Sequence, residues 1–328
     1  PSYTRLPDDG AVMSLRGAIL TDPLETANVE THTTFALAEA AQKIGAQLFE
    51  YQPEDLTYRE DRITAWARPM KVQRVAGMPA LFEDRVTLDL RTDVDVVLMR
   101  QDPPFDMAYI TACHILELLK PDTLVLNDPE HVRSGPEKLY PLLDPQFMPP
   151  TLISRDKAAI ADFRSDHRDV IVKPLYGFGG GDVFRVKPED SNFSPLIDLF
   201  LGRTREPLIV QAFLPAVADG DKRIILIDGE VVGGFNRIPI KGHARSNLAV
   251  GGTAEPSDLS EADLAICAAI GPDLKARGQV LVGLDVIGGR LTEVNNTSPT
   301  GVQQVRDFTG RDPAAMFWDV VQDKLANQ

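Results

Sequence analysis

The chain has 328 residues, 43% of them apolar and 25% charged, and its 34 Lys and Arg against 48 Asp and Glu give a formal charge of −14. That length supports two or three domains with substantial cores. The acidic balance argues against a general nucleic-acid or anionic-membrane binder, leaving room only for a basic pocket that holds a small anion.

The opening PSYTRLPDDGAVMS has no positive segment followed by an apolar run, so residues 1–14 read as a disordered tail or a cloning remnant rather than a secretion signal. Arg16 to Leu20 forms a short apolar strand. A helix is expected from Thr34 to Ile44, capped by Thr31 or Thr33 and ended by Gly45, before a strand from Gln47 to Tyr51. The βαβ order suits a nucleotide-binding unit, but the first loop lacks GxGxxG, so no dinucleotide fingerprint is present. Arg62 to Val75 alternates as two short strands around Pro69.

Val94 to Met99 is a strand that runs into Arg100-Gln-Asp-Pro-Pro-Phe-Asp106. Ligands of open parallel sheets gather beyond the carboxyl ends of strands, which places Arg100 and Asp102 to recognise a charged substrate; an interdomain salt-bridge loop is the alternative. A helix follows from Met107 to Leu119, then a strand from Thr123 to Leu126. Glu137 to Tyr140 starts a short helix with Lys138 near its beginning, and Pro145 to Pro150 marks a boundary. Cys113 and Cys267 both sit in apolar helical patterns, so free buried thiols and a reducing, cytoplasmic setting are expected.

Asp169 to Lys173 is a strand entering Pro174-Leu-Tyr-Gly-Phe-Gly-Gly-Gly181, and Val183 to Val186 leaves as another. Strand, glycine loop and strand can cover a triphosphate with backbone N–H groups while Lys173 offers a mobile cation; a flexible hairpin without a ligand is the other reading. Phe193 to Leu201 reads as a helix. Pro207 to Pro215 is an apolar strand followed by a connector where an adenine could lie, its edge read by backbone near Ala212 to Leu214. Asp221 to Arg237 is a hairpin. Residues 238–252, with Lys241, His243, Arg245 and Asn247 among glycines, suit a mobile substrate loop or solvent-facing disorder. A helix from Ser257 to Leu274 is capped by Ser260, and a last helix from Ala314 to Leu325 is expected to pack the final domain.

Leu281 to Thr300 is the most informative stretch. LVGLDVI reads as a buried strand, Gly288-Gly289 as a turn, and Arg290 to Val294 as the returning strand, so Asp285 lies beside Glu293 and Asn295. A buried carboxylate needs a partner, and these three oxygen-bearing side chains suit Mg²⁺ shared with substrate phosphates, unless the acids face water. No thiolate or imidazole nearby suggests a transition metal. Hard-cation ligands, a lysine beside a glycine loop and scattered basic residues together favour phosphoryl chemistry on ATP.

Lys173-Pro-Leu-Tyr-Gly-Phe-Gly-Gly180, Asp221-Lys-Arg223, Arg237-Ile-Pro239, Arg245-Ser-Asn-Leu-Ala249, Leu291-Thr-Glu-Val-Asn295 and Thr297-Ser-Pro-Thr300 resemble the motifs of bacterial glutathione synthetases, in the ATP-grasp superfamily. Arg100 to Asp106 and Glu137-Lys-Leu139 extend the match, which covers roughly residues 16 to 325. The resemblance implies an α/β protein with an amino-terminal parallel-sheet domain (15–125), a linker and lid carrying the glycine loop (126–210), and a carboxy-terminal grasp lobe (211–328). It implies ATP-dependent ligation of glycine to γ-glutamylcysteine, with Mg²⁺ or Mn²⁺, in a cytoplasmic homotetramer. Lys138, Lys173 and the loop Gly177, Phe178, Gly179 and Gly180 would contact phosphates, and Gln211, Ala212, Phe213 and Leu214 would frame the adenine. Asp285, Glu293 and Asn295 would hold metal, and Arg223 and Arg237, with Lys173, would act in catalysis. Arg100, Asp102, Arg245, Asn247, Asn296 and Ser298 would hold peptide and glycine. Tyr176 replaces an aspartate common at its position and Ser246 a glycine, which leaves open an ATP-grasp ligase with another acceptor, or an ATP-binding protein without turnover.

Overall fold

The computed structural model describes residues 14–240, 248 and 251–327. Its first unit contains β1 (Arg16–Thr21), α1 (Thr33–Lys43), β2 (Gln47–Tyr51), β3 (Leu56–Arg59), β4 (Arg62–Val72), β5 (Ala80–Phe82), β6 (Val86–Asp89), β7 (Val96–Arg100), α2 (Met107–Glu117), β8 (Leu124–Leu126) and α3 (Pro129–Ser134). Strands β2, β1, β7 and β8 lie parallel in that order, and β4 adds antiparallel at the β2 edge. The parallel strands are apolar on both faces because helices and the rest of the chain cover both.

Two local expectations change. The cap of α1 is neither threonine but His32, whose Nδ1 accepts from the Phe35 N–H at 3.3 Å. The imidazole does the work of the usual short oxygen side chain, while Thr33 and Thr34 are buried inside the first turn. Pro69 does not divide two strands. β4 runs through it, pairing with β3 and β6 up to Ala67, with β2 from Arg68 and with β5 from Met70, so the missing N–H falls close to where partners change.

The second unit holds β9 (Thr151–Ser154), α4 (Lys157–His167), β10 (Val170–Pro174), β11 (Phe184–Val186), α5 (Phe193–Arg203) and β12 (Leu208–Ala212). Its antiparallel sheet has the order β11–β10–β12–β9 and packs through Val170, Val172 and Val210 against Ile160, Ile197 and Phe200 of the two helices. The third unit contains β13 (Asp221–Ile227), β14 (Glu230–Ile238), β15 (Thr253–Pro256), α6 (Glu261–Ala276), β16 (Leu281–Ile287), β17 (Arg290–Asn295), α7 (Val302–Thr309) and α8 (Pro313–Ala326). Its sheet runs β15–β14–β13–β16–β17, all antiparallel. α6 starts on a capping box in which Ser260 and Asp263 satisfy each other's backbone N–H.

The expected boundaries after residues 125 and 210 fall inside β8 and β12, and chain passage through a strand is a poor place for a linker. The last helix packs on the third unit as expected and reaches the first unit too. α8 packs on α1, with Trp318 buried and its indole N–H donating to the Leu37 carbonyl at 2.7 Å. One apolar cluster therefore joins Phe35, Leu37 and Val96 of the first unit to Ile225 and Leu281 of the third.

Candidate active site

Asp285 stands opposite Glu293 across β16 and β17, and opposite Arg223 across β16 and β13. Period-two alternation puts all three on one face of the sheet while Leu284 and Val286 fill the core behind. A buried carboxylate requires cationic partners. Arg223 supplies Nε to one oxygen of Asp285 at 2.6 Å and Nη2 to the other at 3.2 Å. Arg237 on β14 reaches the same carboxylate at 2.9 Å and Asp221 at 2.6 Å. Burial opposes ionisation of Asp285, but Arg223 and Arg237 outweigh it and hold the carboxyl at about 2.

Glu293 has its own pair of cations. Lys173, at the end of β10, lies 3.3 Å from its carboxylate and Lys138 3.6 Å away. Burial again opposes the charged form, Lys138 and Lys173 favour it, and the balance keeps the Glu293 carboxyl below its usual value despite the neighbouring Asp285. Lys138 also donates to the Gly177 carbonyl, which fastens it to the glycine loop. Its segment is not helical at that point; the short helical turn starts at Tyr140.

Asp285, Glu293, Lys138 and Lys173 form part of the lining of a cleft of about 840 Å³ between the second and third sheets. Lys173, residues 177–181, Ile171 and residues 211–214 line it from one side, and Asp221, Asp285, Ile287, Thr292 and Glu293 from the other. Gly179 and Gly180 take φ of +61° and +75°, which suit glycine. The backbone reading of the connector narrows, however. The Ala212 N–H is spent on the Pro150 carbonyl and the Phe213 N–H on the Asp169 carbonyl. Gln211 donates to Thr151, leaving the Leu214 N–H as the donor of that segment without a partner among the described residues.

A second cavity of about 970 Å³ adjoins the first, sharing Phe178, Gly179 and Glu293. Asp102, Glu137, Asn295, Thr297, Ser298 and Arg223 help to line it. Of the expected substrate contacts, Ser298 lines this cavity while Arg100 and Asn296 do not. Arg100 is buried beside this cavity, its Nε on Thr34 at 3.2 Å and its Nη2 on the Pro299 carbonyl at 3.0 Å; burial lowers its pKa to about 10. Ser298 lines the wall, with its hydroxyl on the Arg100 carbonyl. Asn296 lines neither cavity: it is fully buried, its amide donating to the Gly135 carbonyl and the Gln279 side chain, so it ties the turn after β17 to those segments. Arg245 and Asn247 lie outside the described residues.

The sequence places Glu137 only at a helix start. It faces the second cavity, accepts from Thr297 Oγ1 at 2.6 Å, and has its pKa raised by burial. Its partner is 160 positions away, so no local pattern exposes the pair. A further group of potential ligands, Asp128, Glu130 and His131, is structural: Asp128 caps α3 and pairs with Lys120.

The donor set fits a hard cation. Asp285, Glu293 and Asn295 offer oxygen atoms, the Asn295 amide N–H being used on the Gly283 carbonyl, and no thiol or imidazole occurs among the described residues of either cavity.

Comparison with known proteins gives this geometry a setting. Residues 15–133 match the family described as prokaryotic glutathione synthetase, N-terminal domain, and residues 137–310 match prokaryotic glutathione synthetase, ATP-grasp domain. Glutathione synthetase of Mesorhizobium japonicum is 48% identical over 95% of this chain and 99% of its own length. That of Pseudomonas syringae is 39% identical over 95% and 98%. Among solved structures, a D-cycloserine synthetase superposes with a TM-score of 0.66 at 17% identity, covering 94% of this chain and 99% of its own. An ATP-grasp RimK domain protein from Sphaerobacter thermophilus gives 0.61 at 17% identity over 93% and 98%; both show a shared fold.

Proposed function

The chain belongs to the prokaryotic glutathione synthetase family, and we propose how its residues carry out the reaction. It is an ATP-dependent, metal-dependent ligase of the ATP-grasp fold that makes glutathione. In detail, the reaction joins glycine to the cysteinyl carboxylate of γ-glutamylcysteine and releases ADP and phosphate. A free carboxylate is a poor acylating agent, since its leaving group would be oxide. Transfer of the γ-phosphoryl group of ATP makes an acyl phosphate, and the glycine amine then displaces phosphate.

The observation that carries this reading is the pairing of Asp285 and Glu293 on adjacent strands, each against two basic side chains, in a cleft lined by the glycine loop. Lys138 and Lys173 exchange Glu293 for phosphate oxygens and offset charge on the moving group. Arg223, fixed on one side by Asp285, faces the second cavity, where the acyl phosphate forms. Arg237 keeps Asp285 ionised and oriented. Asp285, Glu293 and Asn295 would hold Mg²⁺, or Mn²⁺ in its place, which supplies charge neutralisation for the phosphates. The connector takes the adenine, with Leu214 N–H as its backbone donor. Asp102, Ser298 and the segment of Arg245 and Asn247 hold the acceptor substrates, Arg100 supporting them through its carbonyl bond to Ser298. No helix of the described residues is long and apolar enough to cross a membrane. The two buried free thiols support a cytoplasmic setting, and a homotetramer follows from the family resemblance.

Incubation with ATP, Mg²⁺, glycine and γ-glutamylcysteine should release ADP and phosphate in step with tripeptide identified by mass spectrometry. ADP release without tripeptide overturns the reading.

A further inference from the structure

The two acceptor substrates bring two ammonium groups, one on the glutamyl end of the peptide and one on glycine. Each needs an anion once it leaves water for a half-enclosed cavity. Three carboxylates line the second cavity: Asp102, Glu137 and Glu293. Glu293 pairs with Lys138 and Lys173, and once phosphates draw those lysines away it is committed to the metal it would hold. Neither Asp102 nor Glu137 forms a salt bridge among the described residues, so the cavity holds two uncommitted carboxylates for two ammonium groups.

Their positions differ in a way that assigns them. The Glu137 backbone carbonyl accepts the Val294 N–H at 2.9 Å, which anchors it beside the strand that carries Glu293 and Asn295. Its carboxylate interacts with the charges of Glu293, Lys138 and Arg223, the reacting end of the cavity. Thr297 donates to Oε1 and fixes the rotamer, leaving Oε2 for a second donor. Asp102 follows β7, its N–H held by Asp22 at 2.7 Å, and interacts with Arg100 and His32.

We infer that Glu137 binds the ammonium of the incoming glycine beside the acyl phosphate, and that Asp102, just after β7, binds the glutamyl ammonium of the peptide. The assignment rests on the proposed ligation and gives the peptide a direction in the cavity. Glu137 also receives one proton when the ammonium becomes an amine. The nitrogen then bonds to the acyl carbon, the carbon–oxygen bond to phosphate breaks, and the amine's second proton leaves with the phosphate.

Hydroxylamine separates binding of an ammonium from chemistry, because it is uncharged near neutrality and traps an acyl phosphate as hydroxamate. Glu137→Gln should raise KM for glycine roughly ten- to hundredfold, as expected for loss of a charge-assisted contact. KM for ATP should move less than about twofold, and hydroxamate formation with ATP, Mg²⁺ and γ-glutamylcysteine should stay within about threefold of wild type. Glu137→Asp, which keeps the charge, should recover part of the glycine KM. Asp102→Asn should raise KM for the peptide instead of glycine. Equal losses with glycine and hydroxylamine in Glu137→Gln, or an unchanged glycine KM, overturn the assignment. A wild-type enzyme that forms no hydroxamate overturns the acyl-phosphate reading itself, and the assignment with it.

Discussion

Asp285 shows how one side chain can serve both folding and chemistry. It is 3% exposed, and such a carboxylate survives in ionised form only because Arg223 and Arg237 close on both oxygens. Asp285→Asn removes the charge and leaves Arg223 buried without a carboxylate, its remaining bonds going to Thr300, while Arg237 keeps Asp221. Breaking a buried pair from one side costs about 3–5 kcal/mol, so the variant should unfold at clearly lower urea concentration. The pH dependence has a definite sign. The folded value lies at about 2, below the ordinary 3.8, so the pair's contribution is complete above the ordinary value and is lost as pH falls toward the folded one. Urea midpoints measured from about pH 5 to about pH 3 should therefore fall more steeply for wild type than for the variant. Parallel curves would remove Asp285 from that role.

At the scale of elements, two glycines separate loop chemistry from packing. Gly179 has φ of +61° and no atom of the described residues within 4 Å of a built Cβ, so Gly179→Ala meets backbone strain alone, of roughly 1–2 kcal/mol. An open loop can relax in the free enzyme and must return to the strained form over nucleotide, which predicts a KM for ATP raised about tenfold with an unchanged melting temperature. Gly271 on α6 is the reverse case: its Cβ would meet the Gly229 carbonyl at 2.3 Å. Gly271→Ala pushes α6 from the β13–β14 turn and should cost about 1–3 kcal/mol of stability with KM for ATP unmoved. Thermal melts and nucleotide kinetics on both variants check the contrast; a shared phenotype would refute it. The same distinction explains what could be read beforehand. The Asp285–Glu293 hairpin and the strands around the glycine loop follow from short-range periodicity and turn residues. Glu137 with Thr297, and Asp285 with Arg223 and Arg237, are pairs 160, 62 and 48 positions apart, set by sheet order instead. His32 as a cap and Asn296 as a buried strut were likewise hidden, because residue type alone suggests a different use for each.

The whole molecule is held by a core that ignores the order of the chain. Phe35 and Leu37 near the start, Ile225 and Leu281 in the last sheet, and Phe317 and Trp318 near the end belong to one cluster. A helix pattern reports which face is apolar but not which surface will cover it, so the docking of α8 on α1 was beyond periodicity. Shared burial of this kind couples units that separate cores would leave independent. The chain has two tryptophans, Trp66 at 47% exposed on the first sheet and Trp318 at 1% within the shared core. Trp66→Phe, a change at an exposed position, leaves Trp318 as the sole indole reporter of that core. Its emission should shift to the red in the same urea transition that removes the far-ultraviolet circular dichroism, because loss of the α8 contact exposes α1 and the last sheet together. An emission change at distinctly lower urea than the loss of secondary structure would mean that α8 undocks by itself and that the first and third units fold separately.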